Sequence, residues 1–145
     1  MNTHQLCGRR AAHPLIPASQ HEGPALGRVF LLEQHEPSAA AIVGALSGAG
    51  YDALHTMDAR QGVEIAHWWR PDLVVLSLST PDPGELDVCR RLHAALRIPI
   101  FIRCPQPDPA AVSAAIDAGA CDYLPGPLRT GELLNRIRVR LHPQA

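Results

Sequence analysis

Leu73-Val74-Val75-Leu76-Ser77-Leu78-Ser79-Thr80 contains the most β-like run of the chain, and its reading decides the fold. Four consecutive apolar residues, two of them β-branched, suit a strand buried on both faces, and the run then ends in hydroxyl side chains. On its amino side, Pro71 closes a helical pattern from Ala59 to Trp69. On its carboxyl side, Pro81, Pro83 and Gly84 make a loop, after which Leu86, Val88, Cys89, Leu92 and Leu96 recur at helical spacing. The unit is therefore a buried strand, a polar mouth and a helix.

The same unit repeats outward in both directions. Upstream, Val29-Phe30-Leu31-Leu32 ends at the polar set Glu33-Gln34-His35-Glu36, and a helix follows from Pro37 through Ala40, Ile42, Val43 and Leu46 to Gly48 and Gly50. Tyr51 to His55 reads as a second strand. Downstream, Ile98 to Ile102 is a fourth strand; Pro105, Pro107 and Pro109 lead into a helix with Ala111, Val112, Ala115 and Ile116 that stops at Gly119. Cys121 to Leu124 is the fifth strand and Pro125-Gly126-Pro127 a tight loop. The last helix carries Glu132, Leu133, Leu134, Ile137, Val139 and Leu141. Strands alternating with helices require a parallel sheet covered on both faces, a doubly wound α/β domain over residues 28–145. Residues 1–27, with Pro14, Pro17, Pro24, Gly8, Gly23 and Gly27, read as a flexible N-terminal arm. Its His4, Cys7, His13 and His21 match no standard ligand spacing.

Composition narrows the function. In 145 residues, 46% are hydrophobic and 19% charged, with a formal net charge of −1, so no basic surplus points to direct nucleic-acid contact. No apolar stretch is long enough to span a membrane, and the N-terminus lacks the order of a secretory leader; a cytoplasmic protein without membrane contact is expected. The four cysteines form no CxxC pair, which argues for free thiols and against a structural metal. In doubly wound sheets, ligands bind beyond the carboxyl ends of the strands. The residues to interrogate are Glu33, Gln34, His35, Ser77, Cys104 and Gly126.

Three segments, in order, resemble the receiver domain of two-component response regulators. Pro71 to Leu76 followed by Pro81-Asp82 and Cys89-Arg90-Arg91-Leu92 is similar to the family's third strand, loop and third helix. Ala118-Gly119-Ala120-Cys121-Asp122-Tyr123-Leu124, then Pro127 and Glu132-Leu133-Leu134, resembles its fifth strand and helix, and Arg28 to Tyr51 fits the first unit. The resemblance implies a flavodoxin-like (βα)5 sheet with strand order 2-1-3-4-5. It also implies a switch aromatic at Tyr123 and a cis peptide bond before Pro127. Active receivers carry an acidic pair after the first strand for Mg²⁺, a phosphorylated Asp ending the third, a Thr or Ser ending the fourth, and a Lys before the loop proline. Here those positions read Glu33-Gln34, Ser77, Cys104 and Gly126, with Gly84 one position early and Glu85 in the usual glycine's place. Only Glu33 matches.

Each departure has a chemical meaning. A carboxylate is already ionised and accepts a phosphoryl group without a base, whereas a serine hydroxyl is a weak nucleophile until something takes its proton. Glu33 alone is a poor Mg²⁺ site, and without the lysine a phosphoryl group loses its neutralising cation. The resemblance therefore implies a phosphorylation-site-deficient receiver with no metal and no cofactor. Ser77, His35 and Glu33 are also the residue types of a hydrolytic triad, and Cys104 is a second nucleophile type; a small hydrolase is the alternative from another class. No glycine-rich oxyanion motif surrounds Ser77.

Without phosphoryl chemistry, function falls to binding surfaces. Asp122, Glu132, Arg136 and Arg140 occupy positions that resemble the charged dimer face of receivers with winged-helix outputs; Arg136 and Arg140, one turn apart, are placed to meet Asp122 of a second copy. A dimerisation module for a DNA-binding regulator is thus a further alternative. Trp68 and Trp69 close the second helix where the family is normally polar, so one is expected on the sheet and the other as a partner anchor. The expected protein is a stand-alone or truncated regulator, with no effector domain after Ala145. It acts on a protein partner, as a homodimer or on a signalling protein, or through a small ligand in the mouth near Ser77 and Glu33. Pro83, Pro105, Pro107, Pro109 and Pro125 crowd the loops that move in an active receiver, which argues for a stiffened active face.

Overall fold

The buried apolar runs become the strands of one sheet. In the computed structural model, which describes residues 23–79, 83–105 and 108–143, the elements alternate as β1 (Arg28–Leu32), α1 (Glu36–Gly48), β2 (Asp52–Thr56), α2 (Ala59–Trp69), β3 (Leu73–Ser77), α3 (Pro83–Leu96), β4 (Ile100–Cys104), α4 (Pro109–Asp117), β5 (Asp122–Pro125) and α5 (Thr130–Leu141). All pairings are parallel and the strand order is β2-β1-β3-β4-β5. This is the (βα)5 arrangement expected from the alternation and the resemblance.

The period-two alternation sorts the strand residues onto two cores. Phe30, Leu32, Leu54, Val74, Leu76, Ile100 and Ile102 pack under α2, α3 and α4 against Ile65, Trp69, Leu86, Leu92 and Ala115. Val29, Leu31, Ala53, Leu73, Val75 and Phe101 face α1 and α5 through Ile42, Leu46, Leu133 and Ile137. Each fully buried side chain of this kind contributes about 1.5–3 kcal/mol relative to exposure. Helix starts follow local chemistry: Asp58 and Asp108 accept from the backbone N–H groups of Arg60 and Ala110, at 2.9 and 3.0 Å.

Several boundaries differ from the sequence reading: α3 takes in Pro83 and Gly84, read above as loop, and β2 runs one residue later than expected. The fourth strand begins after Pro99, which lacks an amide for the ladder, and runs on through Arg103 and Cys104; those two residues are strand, not loop. Pro125 ends β5, tolerated because β5 is an edge strand. The last two residues of the proposed arm are tied to the domain: Leu26 N–H donates to Gly50 O at 2.8 Å, and Asp52 N–H to Gly27 O at 2.9 Å. Residues 1–22, with Cys7 and the three histidines there, lie outside the described residues.

The expected cis bond before Pro127 is corrected: the described residues contain no cis peptide bond. Gly126 takes φ +82° instead, and a glycine in the left-handed region turns the chain without isomerising the next peptide. Trp69 is buried edge-on to Phe30, with ring centroids 6.3 Å apart, and the Arg28 guanidinium lies 5.7 Å from its ring. Trp68 is half-buried and packs on the rim of the same core.

Candidate functional site

At the carboxyl edge of the sheet, register gathers three polar residues. Leu32 pairs with Leu76 and Ser77 with Arg103, so Glu33, Ser77 and Arg103 follow Leu31, Val75 and Phe101 on the α1/α5 face of three adjacent strands. Arg103 Nη1 stands 3.7 Å from Glu33 Oε1, the two side chains being only 15% and 7% exposed. Because β3 lies between β1 and β4, this ion pair reaches across the end of the strand that carries Ser77. The sequence contains no lysine. The cation paired with Glu33 is an arginine delivered by β4, not a residue of the Gly126 loop.

The pair is incompletely satisfied. Glu33 Oε2 accepts from the His35 backbone N–H at 3.1 Å, but Glu33 Oε1, Arg103 Nε and Ser77 Oγ are buried with no hydrogen-bond partner among the described residues. Among the described residues only Tyr51 Oη shares that condition. An unmet buried polar group costs about 1–3 kcal/mol, and three of them stand together at the ends of β1, β3 and β4. Beside them opens a cavity of about 320 Å³, lined by Glu33, Gln34, Met57, Ser77, Leu78 and Val88, with Leu32 and Leu76 at its base and Arg60 and Glu85 among its walls. The first turns of α2 and α3 flank it.

The other residues expected in this pocket are divided among different surroundings. Gln34 is exposed at the cavity. Cys104 is fully buried in the core under α2, α3 and α4, where the Tyr123 hydroxyl hydrogen-bonds to its sulfur. Burial, reinforced by that bond, pushes the Tyr123 phenol above its ordinary value. Gly126 lines a separate, small space with Arg103, Pro125, Pro127 and Leu128. Glu33, Ser77 and Gln34 thus share a mouth, while Cys104 and Gly126 do not open onto it.

The hydrolytic alternative lacks its base. The His35 ring caps α1, its Nδ1 lying 2.6 Å from Ser38 Oγ and accepting from the Ser38 N–H at 3.3 Å, so it does not bond Ser77. Cys104, in the core, has no open approach. Among the described residues no group of three or more His, Cys, Asp or Glu side chains is placed to hold a metal. The charged set on β5 and α5 also differs from expectation: Arg136 Nη1 donates to both oxygens of Asp122 in its own chain, at 2.8 and 2.9 Å, and Arg136 Nη2 to Glu132 at 3.1 Å. Arg140, exposed, lies near Cys121 rather than in that network.

Arg103 is the functional residue that the sequence reading missed. Its signal was available: a charge immediately after Ile100-Phe101-Ile102 falls, by alternation, on the same face as Phe101 and in register with Ser77. Ending the strand at Ile102 hid it.

With this geometry in hand, similarity to known proteins can be stated. The family model for the response regulator receiver domain matches residues 29–138. The DNA-binding response regulator MtrA of Mycobacterium tuberculosis is 32% identical over 114 residues, 79% of this chain and 50% of that protein. The chain spans about half the length of the curated relatives it matches. The crystal structure of HP1043, an orphan response regulator of Helicobacter pylori, superposes with a TM-score of 0.69 at 25% identity, covering 87% of this chain and all of that one. The beryllofluoride-activated receiver domain of Klebsiella pneumoniae RstA gives a TM-score of 0.72 at 22% identity, covering 79% of this chain and 98% of that one, a likeness of fold alone. A matched model over most of the chain, on the strand order found here, places this protein in the response regulator receiver domain family.

Proposed function

We propose that this receiver domain signals without carrying a phosphoryl group and works by binding, to a protein partner or to a small ligand at the mouth of the sheet. The observation that carries this reading is the Glu33–Arg103 ion pair lying across the end of β3, where the side chain is the hydroxyl of Ser77 and not a carboxylate. Three chemical needs of acyl phosphate formation go unmet. Among the described residues Ser77 Oγ has no hydrogen-bonded base to take its proton, Gln34 stands where a second carboxylate would be needed, and the Glu33 charge is already paired with Arg103. The family is a signalling class and is not itself catalytic, which agrees with a binding role.

The test is incubation of the protein with acetyl phosphate and Mg²⁺, followed by intact mass measurement. An unchanged mass is expected. A phosphoryl adduct on this chain, mapped to Ser77 or to any carboxylate at the mouth, overturns the reading.

A second reading has one supporting observation. Because the matched curated relatives are about twice as long and include DNA-binding regulators, the domain is also suited to be the receiver half of such a regulator, serving as its dimerisation module. With Arg136 paired to Asp122 within the chain, Arg140 is one of the exposed charges on α5 open to a second copy. Analytical ultracentrifugation decides it: a dimer lost on Arg140→Glu supports this reading, and a monomer at high concentration removes it.

A further inference from the structure

We infer that the cavity between the ends of β1 and β3 and the first turns of α2 and α3 binds a neutral, ring-sized apolar molecule, a choice of ligand that rests on the reading that no phosphoryl group occupies this mouth.

The strand alternation sets the character of the floor. Glu33 and Ser77 border the cavity, but their side chains follow Leu31 and Val75 onto the α1/α5 face. The side chains that the strand ends send under α2 and α3 are Leu32, Leu76 and Leu78, all packed in the core on that side. Leu32 is held from above: the backbone of α2 at Gly62 lies so close that an added Cβ would strike it. The open walls are apolar as well. Ala59 and Val88, in the first turns of α2 and α3, are partly buried, and Met57 is half exposed at the rim, where a flexible thioether can close over a bound group.

Charge selects a neutral ligand. Every ionised side chain at the cavity is already compensated within the chain. Glu33 is paired with Arg103 at 3.7 Å, and Arg60 with Asp58 at 3.6 Å. Glu85 accepts from Ser79 Oγ at 3.2 Å and stands in the first turn of α3, where the helix dipole offsets its charge. A cation or an anion would give up its hydration against leucine and methionine with no opposite charge to replace it. The exposed amide of Gln34 borders the cavity and suits one uncharged polar group on the ligand. Size follows from volume. An apolar cavity of about 150 Å³ holds benzene, and this one, at about 320 Å³, takes a fused two-ring molecule.

The experiment is a titration of the isotopically labelled protein with tryptophol, tryptamine and indole-3-acetate, followed through backbone amide resonances. The three carry the same ring system on tails of similar size that are neutral, positive and negative. Tryptophol is expected to shift Met57, Ala59, Leu78 and Val88 saturably, with a dissociation constant at or below about 1 mM, and both charged analogues to bind more than about fivefold more weakly. Val88→Phe, which fills the cavity with protein, should abolish the tryptophol shifts while the rest of the spectrum stays folded. Met57→Gln, at a half-exposed position, should weaken binding about threefold or more without disturbing the fold. Absence of saturable tryptophol shifts at these residues, binding of either charged analogue within about fivefold of tryptophol, or full tryptophol binding by either variant overturns the inference. The acetyl phosphate experiment on the same sample separates the two failures. No adduct and no tryptophol binding removes this inference alone, while an adduct removes the reading beneath it.

Discussion

Replacing Arg103 with Leu tests the ion pair on which the site's account depends. At 3.7 Å and an effective dielectric of about 20, the attraction between the two charges is about 4.5 kcal/mol before desolvation is subtracted. Arg103→Leu removes the cation and leaves Glu33, 7% exposed at its side chain, as a buried carboxylate whose remaining support is the His35 N–H. Breaking a buried pair on one side costs about 3–5 kcal/mol; the 3.7 Å separation and the 15% exposure of Arg103 reduce that to about 2–3 kcal/mol here. For a domain of this size that is a fall in Tm of about 8–12 °C. Glu33→Gln should cost less, about 1 kcal/mol, because the long Arg103 side chain can turn its head to water. In the double variant Glu33→Gln/Arg103→Leu the orphan charge is gone, and the double should be more stable than the Arg103→Leu single. Urea unfolding of the four proteins gives the coupling energy, expected at about 1–2 kcal/mol. A coupling below about 0.3 kcal/mol, with the two losses simply adding, refutes the argument that the pair acts as a unit.

Further expectations follow from other parts of the fold. Gly119→Ala places a Cβ 2.6 Å from His93 Cγ on a backbone with φ +110°, so it should cost about 2–4 kcal/mol by thermal melting. Asp122→Asn removes a two-pronged but partly exposed contact with Arg136, whose side chain is 40% exposed; the loss should be about 1 kcal/mol and should shrink at high salt. Burial pushes the Cys89 thiol up to about 11, so its protonated form favours the folded state. That contribution is complete below the ordinary value of 9.0 and is lost as pH climbs toward 11, and a Cys89→Ala variant should show a flatter decline of stability over that window. In a Cys7→Ser background, a thiol reagent should modify exposed Cys121 in the native protein and reach buried Cys89 and Cys104 only after unfolding.

Much of the fold was legible because short apolar runs bounded by proline and glycine leave few alternatives. Leu73 to Leu76 and Ala59 to Trp69 fell where expected, since Pro71 separates them and the helix pattern has a single buried stripe. The errors arose where local signals compete. Ile98 reads as the start of a strand, yet Pro99 cannot join the ladder, and the strand slides two residues later to take in Arg103 and Cys104. That slide also decided how much of the site could be read. Glu33 and Ser77 were found because strand ends are where doubly wound sheets bind ligands. Arg103 was missed because the reading ended the strand at Ile102, and Cys104, the next residue along the strand, faces the opposite side into the core. The Asp122–Arg136 contact was unreadable for another reason: positions along a helix say which residues share a face but not whether the partner is the same chain or a second copy.

The most direct test of the central claim, that this mouth is built for binding rather than for a phosphoryl group, is an amide spectrum recorded with and without beryllofluoride and Mg²⁺. Beryllofluoride needs a carboxylate to complete an acyl phosphate mimic, and the end of β3 offers the Ser77 hydroxyl with Glu33 engaged by Arg103. The account predicts superimposable spectra. Saturable shifts centred on Ser77, Arg103 and Gly126 would contradict it.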